Sequence, residues 1–266
     1  MFIQRLITSL VLIPCLLALL FWAPSQTVYM VFFAVLMLAA YEWHKLIPLH
    51  SMQANGFFVL IYSLSLLSVS YIHSDWIIFL VLIWVPIIVF IVLYPSGTSI
   101  WARPSIILVL AIVVSNLFAY AMQGIFCLKH GKALILYLFF IVWAADIGAY
   151  TFGKLWGKHK LIPLVSPGKS WEGFLGGFFF VACIALLGAA YFQPVSLLQW
   201  YFLLFSCFIV SIFGDLFISV LKRKCKLKDT GNILPGHGGI LDRLDSLIST
   251  APIFYAGLIW LNLGIH

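Results

Sequence analysis

Apolar residues in this chain come in long unbroken runs rather than as a stripe along one helix face. Nine runs reach or approach spanning length, near 6–23, 27–46, 56–73, 76–95, 105–126, 132–153, 172–192, 197–221 and 244–263. About 20 apolar residues in a helix cover the hydrocarbon core of a bilayer. The connections are too short to hold a soluble domain, so the pattern predicts an all-α polytopic membrane protein of about nine transmembrane helices. It forms one integrated membrane domain: residues 1–130 carry spans 1–5, and residues 131–266 carry spans 6–9 with the longest polar loops. There is no internal repeat or low-complexity tract. The opening MFIQR followed by an apolar run resembles a signal peptide, but no small-x-small cleavage site follows, and it is read as the first span.

Composition narrows the class. A mean hydropathy of +1.13 with 9% charged residues excludes a soluble globule, in which about 25% is usual. Aromatic residues at 17% suit spans and interfacial belts. The five cysteines are scattered, form no C-x-x-C pair and suggest neither a disulfide frame nor a zinc site; apart from Cys225 they read as membrane-packing residues. Glu42 and Trp43, near the end of the second run, read as an aromatic-belt anchor beside a snorkelling acid.

Charge sets the orientation. With the N-terminus inside, the inner loops carry Arg5, Lys45, Arg103, Lys154, Lys158, Lys160, Lys169, Lys222, Arg223, Lys224, Lys226, Lys228 and Arg243. The outer loops carry only Lys129 and Lys132, so the 15 basic residues divide 13 to 2. Such a split predicts an N-in, C-out chain. The net charge of +7 is then an inner-surface charge, suited to anionic headgroups or phosphorylated solutes rather than to nucleic acid.

Two polar stretches interrupt the apolar pattern on that inner side. Ser219 to Ser246 holds a cluster of Lys and Arg followed by Gly236, His237, Gly238 and Gly239, a composition that lets backbone N–H groups approach an anion. Gly153 to Gly177 holds four lysines and the Ser166-Pro167-Gly168-Lys169-Ser170 turn, placed just before a helix start at Trp171-Glu172 where phosphate binds readily. A positive-inside loop capped by Ser170 accounts for the charges alone. Asp146 and Asp215 lie inside spans 6 and 8, each about seven residues, or roughly 10 Å, from the inner end. Glu172 and Asp242 open spans 7 and 9, so four carboxylates are expected to converge on a cytoplasm-facing polar cavity. Intramembrane carboxylates mark functional sites by default, the competing reading being an interhelical ion pair. Asp215, Ser219 and Lys222 share one helix face, and Asp146 and Tyr150 are four apart. Oxygen donors without a His or Cys cluster favour magnesium over zinc. His237 either polarises a phosphate or serves as a turn residue.

The run Ser219-x-Leu221-Lys222-Arg223, four residues, Lys228-Asp229-x-Gly231, two residues, Leu234-Pro235-x-His237-Gly238-Gly239-Ile240-x-Asp242-Arg243-Leu244-Asp245 resembles the signature of the phosphatidate cytidylyltransferase (CDP-diacylglycerol synthase) family. Asp146-x-x-Ala149-Tyr150-x-x-Gly153 and Ser166-Pro167-x-Lys169-Ser170-x-Glu172-Gly173 resemble it too, so the close similarity covers about 141–246. Lys224, Cys225 and Lys226 form a basic insert within its variable part.

The resemblance implies transfer of CMP from CTP to phosphatidate, giving CDP-diacylglycerol and pyrophosphate in phospholipid biosynthesis. It places the chain in a bacterial inner membrane with magnesium as cofactor, and leaves open a second cation such as K+ and a homodimer. Asp215 and Asp242 are the expected metal ligands. Lys222, Arg223 and Lys228 neutralise phosphates, and His237 completes the catalytic set. Asp146, Ser166, Lys169 and Glu172 line the cavity from the other loop. Tyr150, Ser219, Asp229, Gly238, Gly239, Arg243 and Asp245 are expected to bind substrate. Two other classes stay open on the residues alone. An anion transporter would need polar sites at the midplane and in both halves, and another magnesium-dependent lipid phosphotransferase or kinase would use the same metal-phosphate chemistry.

Overall fold

The computed structural model describes residues 2–47, 52–69, 77, 81–233 and 238–261. The helices follow the apolar runs in order. They are α1 (Phe2–Trp22), α2 (Ser25–Leu46), α3 (Met52–Leu67), α4 (Trp84–Val92), α5 (Pro104–Cys127), α6 (Gly131–Trp156), α7 (Trp171–Phe192), α8 (Leu197–Lys224) and α9 (Leu241–Trp260), with a helical turn at Thr98–Trp101. Five of them, α2 and α5 to α8, are long and apolar enough to cross a membrane. Of the run expected over 76–95, α4 covers Trp84–Val92, and 76 and 78–80 lie outside the described residues.

Local chemistry explains the boundaries nearest the polar loops. Helix α8 ends on Lys222, Arg223 and Lys224, cations that complement the negative end of the helix dipole. Helix α9 begins with Asp242 in its first turn, where the dipole is positive. Ser170 caps α7, its hydroxyl oxygen accepting the N–H of Gly173 at 3.1 Å. The all-α expectation needs one amendment. Lys160–Ile162 (β1) and Ser166–Ser170 (β2) pair as a small antiparallel hairpin, so Ser166–Ser170 is a strand rather than a turn. Pro163 lies in the connection, where its missing N–H removes no ladder bond.

Two hairpins of spans build the frame of the polar end. In the first, α6 and α7 touch backbone to backbone: a Cβ on Gly148 would strike the carbonyl of Gly176, and one on Gly177 would lie 2.9 Å from the carbonyl oxygen of Ala145. Small residues at such a seam let helices approach where lipid gives no hydrophobic drive for association. In the second, α8 and α9 meet at Gly214, where a Cβ would strike Ser249 and the backbone of Asp245. Helix α2 joins them through Trp43, buried against Phe217 of α8 at a ring separation of 6.2 Å. Trp84 of α4 meets the same Phe217 edge-on. The C-terminal ends of α2, α6 and α8 and the N-terminal ends of α7 and α9 therefore gather at one end of the bundle, with both polar loops.

Candidate active site

The α6–α7 seam sets Asp146 and Tyr150 beside the β2 strand, and α8 supplies Asp215 from the other side. The three elements enclose a cavity of about 330 Å³ lined by Asp146, Tyr150, Lys169, Ser170 and Asp215, with Phe174 and Phe208 as apolar wall. The Lys169 ammonium lies 2.7 Å from Asp215 Oδ2, and Asp215 Oδ1 accepts the Ser219 hydroxyl at 3.2 Å. About a quarter of the Lys169 side chain and a third of that of Asp215 remain exposed, 25% and 32%. Asp146 lies within electrostatic reach of Asp215, Lys169 and Arg243, and Asp245 within reach of Asp215 and Asp146. The N–H of Ser246 donates to Asp245 Oδ1 at 2.7 Å.

A second ion pair sits where α8 meets α9. Lys222 Nζ lies 2.7 Å from Asp242 Oδ1, with 12% and 6% of the two side chains exposed. The other oxygen of Asp242 accepts the N–H of Thr230 at 2.8 Å, the Thr230 hydroxyl at 3.0 Å and the N–H of Gly239 at 3.0 Å. One N–H of the Gly-rich run, that of Gly239, is presented to an anion, and here that anion is Asp242 of the same chain.

Four carboxylates do not converge on one cavity. Asp146 and Asp215 line it, while Asp242 is held by Lys222 and the loop. Glu172 is turned to the β1 side, where it accepts the backbone N–H of His159 at 3.2 and 3.3 Å and meets its ring Nδ1 at 2.7 Å. The cause is local: His159 N–H needs an acceptor at the start of the hairpin, and a carboxylate in the first turn of α7 is the nearest one. Ser166 opens β2 opposite Ile162, away from the cavity lining. Arg223 is exposed, its Nε donating to the carbonyl of Val165 at 3.4 Å and so tying α8 to the hairpin. Lys228 and Asp229 are exposed on the loop. Gly238 sits against Asp242, a Cβ there falling 3.1 Å from its Oδ2. His237, with Leu234, Pro235 and Gly236, lies outside the described residues.

The sequence reading of Glu42 and Trp43 is overturned. Neither is at a belt: both side chains are fully buried, at 0% exposure. Glu42 accepts the Thr230 hydroxyl at 2.9 Å and the N–H groups of Ile240 at 3.0 Å and Leu241 at 2.7 Å. A buried carboxylate is tolerated only with such compensation, and here the start of α9 supplies it. Cys225 adds a tie to the same helix end, its thiol donating to the Leu46 carbonyl at 3.2 Å. Burial raises the Cys225 thiol above its ordinary range. His159, Thr230 and Glu42 thus hold the loops without a motif signal of their own. The one hint was an acidic residue placed among apolar neighbours close to the end of a span.

The Pseudomonas aeruginosa phosphatidate cytidylyltransferase is 37% identical over 282 aligned residues, covering 97% of this chain and 96% of that protein. The Haemophilus influenzae phosphatidate cytidylyltransferase is 35% identical over 185 residues, covering 64% of each chain. A Staphylococcus aureus protein of the same name is 42% identical over 175 residues, 58% of this chain and 66% of the relative. The sequence model described as the Cytidylyltransferase family matches residues 3–261. That match takes in the apolar N-terminal half as well as both polar loops, and the chain belongs to the cytidylyltransferase family.

Proposed function

We propose that this chain is an integral-membrane phosphatidate cytidylyltransferase that transfers CMP from CTP to phosphatidate, releasing pyrophosphate and forming CDP-diacylglycerol. The full-length similarity to the Pseudomonas enzyme supports the reaction. The observation that carries the reading at the level of chemistry is the Lys169–Asp215 pair, partly open to a cavity at the polar end of the bundle. Such a pair offers a cation for phosphate and a carboxylate for a metal in one place.

The phosphate of phosphatidate attacks the α-phosphorus of CTP and pyrophosphate leaves. Positioning and charge neutralisation provide most of the acceleration in such transfers. Lys169, at the membrane-surface start of α7, holds the phosphatidate headgroup, while Lys222, Arg223 and Lys228 face the triphosphate. The donor set suits magnesium: Asp146 and Asp215 supply only oxygen, and Asp215 already draws an ammonium to its Oδ2. Among the described residues no three His, Cys, Asp or Glu side chains form a metal cluster. One or two carboxylates plus substrate phosphates are the usual magnesium set. Asp215 and Asp242 are the candidate ligands that would hold the ion. Bound there, magnesium would stabilise charge on the transferring phosphoryl group. The 13-to-2 division of basic residues supports a cytoplasm-facing site in a bacterial inner membrane.

Purified protein given phosphatidate, magnesium and CTP labelled in the base should yield a lipid-soluble labelled product. A γ-phosphate label alone passing to lipid would make the chain a kinase and overturn the reading. For sidedness, a reporter fused after His266 should be active only outside the cytoplasm.

A further inference from the structure

We infer that Glu42 is a positioning residue for Asp242, which makes the inner end of α2 a working part of the catalytic loop rather than a membrane anchor. The inference rests on the reading of the Ser219–Ser246 stretch as catalytic, and goes beyond it by bringing in a helix far away in sequence and outside the signature.

The geometry is a two-step relay of contacts. Glu42 Oε2 and Asp242 Oδ2 both lie in hydrogen-bond reach of Thr230 Oγ1, at 2.9 and 3.0 Å, and share its single proton. Glu42 also takes the N–H groups of Ile240 and Leu241, the two residues that precede Asp242 at the start of α9. Asp242 is thereby fixed twice, through the Thr230 side chain and through its own backbone. The remaining oxygen of Asp242 holds Lys222, so the position of that ammonium is set from α2 as well. Glu42 itself has no freedom: it is fully buried, Trp43 beside it is locked against Phe217, and the Leu46 carbonyl one turn later is tied to Cys225. Space around the carboxylate is equally tight, since a Cβ on Gly231 or on Gly239 would strike it. A side chain so placed touches neither the cavity nor the residues expected to meet substrate, apart from those it aligns.

Glutamine at position 42 is the sharp variant, because its NH2 must face a donor, either the Ile240 N–H or the Leu241 N–H with the Thr230 hydroxyl. The full-length protein is assayed in mixed micelles with CTP and phosphatidate each varied, beside hydrogen exchange of the 229–243 segment. Glu42→Gln should lower kcat/KM for CTP about ten- to hundred-fold, the range for a broken charge-assisted bond, and leave KM for phosphatidate within about twofold. Exchange in the segment should quicken. Thr230→Val should give a loss of the same order, Thr230→Ser should restore the wild-type value, and Glu42→Gln with Thr230→Val should lose no more than the worse single change. The Thr230 pair answers the question even where a Glu42 variant does not accumulate. If Glu42→Gln or Thr230→Val keeps wild-type kinetics per folded molecule, or if the two losses add in full, Glu42 is only a structural tie and the inference is wrong. Wild-type protein that makes no lipid-soluble cytidine product would instead sink the proposed reaction, a distinct result.

Discussion

The two lysine–aspartate pairs have the same separation, 2.7 Å, and opposite surroundings. Lys169–Asp215 looks into a cavity, with Ser219 donating a further hydrogen bond to Asp215. Lys222–Asp242 is nearly sealed, and the second oxygen of Asp242 takes three more donors. Distance alone would rank them equal. A partly open pair is worth about 0–1 kcal/mol, so its members can exchange partners as substrate arrives. Breaking a sealed pair leaves an uncompensated charge at about 3–5 kcal/mol, so its members hold their places. The open pair is built to be rearranged by ligands and the sealed pair to define where they go.

Single substitutions at the two pairs should separate these roles. The largest effect is expected from Asp215→Asn, which removes a candidate metal ligand: turnover should fall by about a thousandfold or more, with insertion and thermal stability nearly unchanged. Asp242→Asn should lower activity about as far but also lower the unfolding temperature by several degrees, because Lys222 is stranded. Activity and melting curves on the same two preparations check this, and equal melting temperatures would erase the distinction between open and sealed. Removing magnesium with a chelator should stop turnover, and adding it back should restore it. Next in size, Lys169→Ala should reduce kcat/KM for phosphatidate, and Lys222→Ala that for CTP, by about ten- to hundred-fold each. Equal losses for both substrates from both variants would indicate one shared phosphate pocket. The smallest change is expected from Arg223→Lys, about two- to fivefold, since the Nε bond to Val165 ties two elements together and a lysine cannot place a donor at that atom.

Much of the frame was readable from hydropathy because each span is apolar on every side, so run length alone marks a helix. The meeting of Asp146 and Asp215 was readable as well, since their depths from the same end are equal and the short connections put that end on one side. The pairing of charges was not. Lys169 could have joined any neighbouring carboxylate, and the choice of Asp215 depends on how the β1–β2 hairpin leans on α8. Glu172 looked like a cavity residue because of its place in sequence, whereas a neighbouring backbone N–H captured it. Glu42 was hardest to read: its partners lie 188 to 199 residues away, and one of them, Thr230, occupies an unspecified position of the signature.

The crowding around the Glu42 carboxylate also sets a rule of heredity. Positions 42, 231 and 239 share one small volume, since a methyl group at either glycine would overlap the acid. They are therefore not three independent sites of variation. An alanine arriving first at 231 should be poorly tolerated and should fit once residue 42 has been shortened, whereas one at 239 would still strike the Thr230 hydroxyl. Substitutions at 42 and 231 should enter in a fixed order, with the change on α2 preceding the change on the loop.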